Sequence, residues 1–308
     1  RWVSSWKDMG AIRSGMRSYF SQNQRSMIYA VLGGTCIATV AMMWTGYTYI
    51  LIIVLVYFLV QAIINRFRNA DTMGEFFIVG IMLLTAFALA APLYWQLNFW
   101  SLWYDVPFYL FVGAMIIGGF FTVTRDYPWT LTIPAIVIIV VVGLIGVYFV
   151  SPNLFESIVS GQGYLVKSKL YSTIDEASAP GFSQLVFAFG PVTFWLSIIG
   201  LVWAAIKIPK NQSPHYVFVV VWMGVSMYMA ASASRFMFNA TPAFALAGGW
   251  ILALLISMAK FTEVPRLWSG FWSNPRSTLR KAFKFRYMAV ALFLAFLVVL
   301  PNVWTAVD

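Results

Sequence analysis

About nine stretches of this chain carry almost no charge over a length that can cross a bilayer. They fall near 27–44, 47–65, 75–96, 107–123, 130–150, 184–206, 215–233, 235–258 and 287–304. A membrane-spanning helix needs about 17–25 such residues. Lipid offers a backbone no hydrogen-bond partner, so each run predicts a helix. The fold class is therefore all-α, a polytopic transmembrane helical bundle. Composition agrees: 61% of the 308 residues are hydrophobic and 10% charged, whereas a soluble domain is closer to half and a quarter.

The charges sort by side. With the N-terminal segment placed in the cytoplasm, only Lys167, Lys169 and Arg235 of the 20 Lys and Arg residues fall outside. That asymmetry is the positive-inside pattern. It explains the net charge of +10 as contact with anionic headgroups and leaves nucleic acid no role. The single Cys36 excludes an internal disulfide and sits in an apolar run where packing is the plain reading. The single His215 excludes a zinc site built from clustered His and Cys.

The same topology divides the chain. Residues 1–26 form a basic cytoplasmic or interfacial segment, 27–150 hold five spans, and 151–183 form a long external loop. Residues 184–258 hold three further spans, and 259–286 form a basic cytoplasmic loop of amphipathic character. Residues 287–308 contain the last span. The chain begins at Arg1 and stops directly after that span, so both ends are expected to continue in a longer protein.

Long loops are where function concentrates. The external loop contains Thr173-Ile174-Asp175-Glu176, an acidic pair in a chain that otherwise avoids acids. Thr and Glu at this spacing match a helix capping box. A carboxylate there also suits a hard cation or an amide donor, and the spacing does not separate the two. Arg235 opens the eighth run. It reads either as a helix-end arginine snorkelling to water or as a phosphate ligand. Asn239-Ala240-Thr241 and Asn211-Gln212-Ser213 match the glycosylation acceptor pattern. The first falls within a span and the second on the inner side, so neither is expected to be modified. Gly161-Gln162-Gly163 lacks the context of a dinucleotide loop, and Trp103-Tyr104-Asp105 reads as an interfacial belt.

Three places together resemble the catalytic subunit of oligosaccharyltransferase in its archaeal or prokaryotic single-subunit form. They are Thr173-Ile174-Asp175-Glu176 in the external loop, Arg235-Phe236-Met237-Phe238 with Pro242 two spans later, and the Trp44-Thr45-Gly46-Tyr47 turn between the first two spans. The resemblance runs from about residue 20 to the end. It implies the membrane region of a GT-C type glycosyltransferase in the cell membrane, with its active side extracytoplasmic. The implied reaction moves a glycan from a lipid-linked oligosaccharide, on a polyprenyl or dolichyl phosphate or diphosphate, to the Asn of an N-x-S/T sequon in an acceptor polypeptide. Glu176 would hold the acceptor amide near a Mn²⁺ or Mg²⁺ ion and is a possible metal donor. Arg235 would contact the carrier phosphate.

The chain departs from that family in two respects. It has no Asp-x-Asp pair to supply the main metal ligands and no Trp-Trp-Asp-Tyr-Gly sequon reader. By itself it is therefore expected to be inactive, with the missing parts outside residues 1–308. A different polyprenyl-phosphate-sugar glycosyltransferase would lack the Thr-to-Glu motif in this loop. A transporter of lipid-linked glycans would show inverted repeats and charges deep in its spans.

Overall fold

A computed structural model describes residues 3, 6, 8–98, 103–150, 152, 155, 178–210, 213–258, 269, 272, 274–277, 290, 292, 293 and 296. Among them every regular element is a helix, and the fold is an all-α polytopic membrane bundle. The helices are α1 (Met9–Gln22), α2 (Gln24–Met43), α3 (Thr48–Phe67), α4 (Met73–Gln96), α5 (Asp105–Val123), α6 (Trp129–Val150), α7 (Phe182–Phe189), α8 (Pro191–Lys207), α9 (Pro214–Ser232) and α10 (Phe236–Met258). Of the described helices, 7 are long and apolar enough to cross a membrane, and the bent pair α7–α8 makes up to 8. The ninth expected span, 287–304, and the basic loop 259–286 lie almost wholly outside the described residues.

The chain divides into two compact units, Arg1–Ser168 and Lys169–Asp308. In the first, α2 packs along α4 and α3 along α5, around Ile37, Leu51, Phe58, Leu83, Phe87 and Phe111. The expected turn at Trp44–Tyr47 is a short 3₁₀ helix, Thr45–Tyr47, entered through an extended Trp44. α6 is apolar all round, and only 6% of its span is buried inside the protein. Such a helix is stable only with hydrocarbon on its exposed faces.

The two ends of this first unit differ in chemistry. At one end, three buried tyrosines each donate a hydrogen bond to a backbone carbonyl. Tyr47 reaches Trp103 (2.7 Å), Tyr94 reaches Ala41 (2.9 Å) and Tyr104 reaches Phe87 (3.0 Å). Burial pushes the Tyr47 phenol well above its ordinary range. Tyr104 is 8% exposed, so it is a buried cross-brace and not part of an interfacial belt. At the other end, Arg66 is 4% exposed. It donates to the carbonyls of Thr124 and Tyr127 and, at 3.0 Å, to the Thr132 hydroxyl, and its guanidinium lies 5.4 Å from the Trp129 ring centre. Arg125 donates to the Asn69 carbonyl. The basic loops after α3 and α5 thus meet at one end, as the charge pattern predicts, and Arg66 also ties them together. Cys36 is exposed on the outer face of α2, so it is not a core packing residue.

The second unit is built on close helix crossings. Ser197 of α8 lies 2.6 Å from the carbonyl oxygens of Thr193 and Phe244. A Cβ at Gly200 would stand 2.6 Å from the Ala247 carbonyl. Small residues let α8 and α10 approach this far without lipid between them. Gly190, at φ +77, takes a conformation that glycine adopts at no steric cost. Pro191 then starts α8, where its missing N–H is harmless. The result is a 97° bend between α7 and α8.

Candidate functional site

The turn between α9 and α10 is made by Ala233, Ser234 and Arg235. Ala233 is extended, at φ −155 and ψ 137. The chain then turns sharply, with the Phe236 N–H on the Ala233 carbonyl and the Met237 N–H on the Ser234 carbonyl, both at 3.0 Å. The side chain of Arg235 is exposed, and its guanidinium carbon stands 5.2 Å from the Phe236 ring centre. Phe236 itself is buried. The arginine therefore projects from a fixed backbone at the mouth of a packed helix pair.

A second segment is bonded to this turn. The Ser178 carbonyl accepts the Ser234 N–H at 3.0 Å and the Ser234 hydroxyl at 3.1 Å. From Ser178 the chain runs through Pro180 and Gly181 into α7, where the Gly181 N–H donates to the Gln184 side chain at 3.0 Å. α7 is pinned across the helix ends by Phe189, which stacks on Phe244 of α10 with centroids 4.0 Å apart and planes 4° from parallel. The end of the long loop, the bent helix and the Arg235 turn thus form one surface at one end of the second unit.

Of the residues singled out from sequence, Arg235 lies on this surface. Thr173, Ile174, Asp175 and Glu176 lie outside the described residues. Sequence reading missed Ser178 and Ser234, which are 56 positions apart. No local pattern marks a serine for so distant a partner. Among the described residues no three His, Cys, Asp or Glu side chains converge on a point that could hold a metal ion.

The arrangement of helices has a counterpart among solved structures. The Archaeoglobus fulgidus oligosaccharyltransferase in its apo form superposes with a TM-score of 0.66 over 89% of this chain, at 17% sequence identity. The chain is similar in fold to an archaeal oligosaccharyltransferase. It spans 33% of the length of that enzyme. No protein-family model and no curated protein matches the sequence. At this identity the likeness concerns the fold, and the chemistry of the Arg235 surface rests on its own residues.

Proposed function

We propose that this chain is the membrane part of an oligosaccharyltransferase, transferring a glycan from a polyprenyl phosphate or diphosphate to the Asn of an N-x-S/T acceptor. The Ser178–Ser234 tie carries the reading. It joins the end of the acidic loop to the turn that presents Arg235. Glu176 precedes Ser178 by two residues, a chain reach of about 7 Å. A carboxylate within that chain reach of the turn that carries a guanidinium would suit a reaction with an amide acceptor and a phosphate leaving group.

The roles follow from the side chains. The Arg235 guanidinium offers paired N–H donors to phosphate oxygens and stays charged throughout. The Glu176 carboxylate accepts an N–H from the acceptor amide and holds its nitrogen toward the sugar. Mn²⁺ or Mg²⁺ belongs to the same proposal. When bound it would stabilise charge on the leaving phosphate, with Glu176 as one donor and the others drawn from beyond the described residues. On this reading the face carrying Arg235 is extracytoplasmic in the cell membrane.

The test uses the intact protein, a lipid-linked glycan and matched peptides containing Asn-x-Thr or Gln-x-Thr. Glycopeptide should form with the first alone. Transfer indifferent to the Asn, or to a non-peptide acceptor, would instead favour another polyprenyl-phosphate-sugar glycosyltransferase.

A further inference from the structure

A groove on the second unit plays no part in that reading. It has a volume of about 670 Å³ and runs between the start of α9 and the middle of α10. Ser213, His215, Tyr216 and Val219 form one wall, and Leu246, Gly249 and Trp250 the other. It opens beside Pro214, and the Arg235 turn follows only after the whole of α9, roughly 28 Å of helix away. Both helices are long and apolar enough to span a membrane, and His215, Leu246 and Gly249 are exposed along the groove.

Gly249 lines the groove without a side chain, and a Cβ there would meet nothing within 4 Å, so the space beside it is open. Tyr216 and Trp250 stack at 5.3 Å with planes 22° apart. Trp203 of α8 meets Trp250 edge-on at 4.9 Å. Lys207 Nζ stands 4.8 Å over Trp203, so a cation lies one ring from the groove. Lys210, in the same connection, is exposed.

The mouth is polar and positive while the floor is apolar. α9 starts with Pro214 at its first turn, and the Ser213 hydroxyl makes no capping bond to it. The amides of His215 and Tyr216 are therefore first-turn donors directed out of the helix end, where the helix dipole favours an anion. Below them Val219, Leu246 and Gly249 offer only carbon. An amphiphile with a phosphate head and an alkyl chain matches both halves.

We propose that this groove binds an anionic phospholipid. Its phosphate sits at the start of α9 near Lys207 and Lys210, and one acyl chain lies along Val219, Leu246 and Gly249. The site stands or falls independently of glycosyl transfer, since it lies at the other end of α9 from Arg235.

The test is native mass spectrometry of the full chain, delipidated in detergent and titrated with phosphatidylglycerol or phosphatidylcholine. Phosphatidylglycerol should bind roughly tenfold tighter, the worth of one charge-assisted contact. Gly249→Leu, which fills that open space, should weaken it at least about tenfold by excluding the chain. Lys207→Gln should erase most of the preference for the anionic head. Gly224→Leu serves as the control, because Gly224 is exposed on α9 outside the groove with nothing within 4 Å of a built Cβ, and it should bind as wild type. If Gly249→Leu melts early, Val219→Trp blocks the groove from the other helix. A photoreactive phosphatidylglycerol should label peptides holding Tyr216 or Trp250. Equal binding of the two lipids, unchanged binding in both groove-filling variants, or labelling confined to other helices would each overturn the proposal.

Discussion

Ser178 and Ser234 are joined twice, with one carbonyl accepting both the N–H at 3.0 Å and the hydroxyl at 3.1 Å of its partner. This bond pair ties the end of the acidic loop to the Arg235 turn. Ser234→Ala removes the hydroxyl and leaves the amide bond. At about 1 kcal/mol for a net hydrogen bond, the amide of residue 234 should exchange with deuterium about fivefold faster. Unchanged exchange would mean that the hydroxyl adds nothing to the tie.

Arg235 should govern the donor and not the acceptor. Losing a charge-assisted contact to phosphate costs about 1.5–3 kcal/mol, so Arg235→Ala should raise the donor KM roughly tenfold to a hundredfold. The peptide KM should stay nearly constant. Arg235→Lys should recover only part of the loss, since an ammonium cannot grip two phosphate oxygens in one plane. A donor KM unmoved in Arg235→Ala would return this residue to a helix-end snorkelling role.

Arg66 should matter to stability far more than its place in a basic loop suggests. It is buried and holds Thr124, Tyr127 and Thr132 at once. Arg66→Leu removes three hydrogen bonds made by one charged group, each worth about 1.5–3 kcal/mol. A clear drop in the detergent melting temperature is expected, and Arg66→Lys should restore little of it. Arg13→Gln, at an exposed position on α1, should melt as wild type. Equal melting of the Arg66 and Arg13 variants would contradict the clamp.

The α8–α10 crossing sets up a matched pair of glycine substitutions. Gly200→Ala places a Cβ 2.6 Å from the Ala247 carbonyl, while at Gly143 on α6 the same atom meets nothing within 4 Å. Overpacking of this kind costs about 1–3 kcal/mol. Gly200→Ala should therefore lower the melting temperature, and Gly143→Ala should leave it unchanged or slightly raise it.

The spans were legible because apolar length alone dictates them. The runs at 47–65 and 75–96 became α3 and α4 within a few residues at each end. The sixth run read as one straight span, yet Gly190 breaks it by 97°. Periodicity is blind to a single positive φ. Basic residues were legible as markers of one end, but the carbonyls under Arg66 were not, since hydrogen bonds across 58 or more positions leave no local pattern. Tyr104 read as a membrane-surface aromatic because its sequence neighbours are Trp103 and Asp105, whereas its hydroxyl partner lies in α4. At the site, Arg235 stood out as a lone charge in an apolar stretch. The two serines that tie its turn to the loop carried no such signal.

Glycopeptide formation by Glu176→Gln in the intact protein tests the central claim most directly. The substitution keeps the side chain's size and removes its charge, so folding and donor binding should survive. Turnover should fall roughly a hundredfold or more, the scale of losing a positioning contact at the reacting atom, with the donor KM little changed. Turnover near that of the unmodified protein would take Glu176 out of the reaction and remove the chemistry proposed for the Arg235 surface.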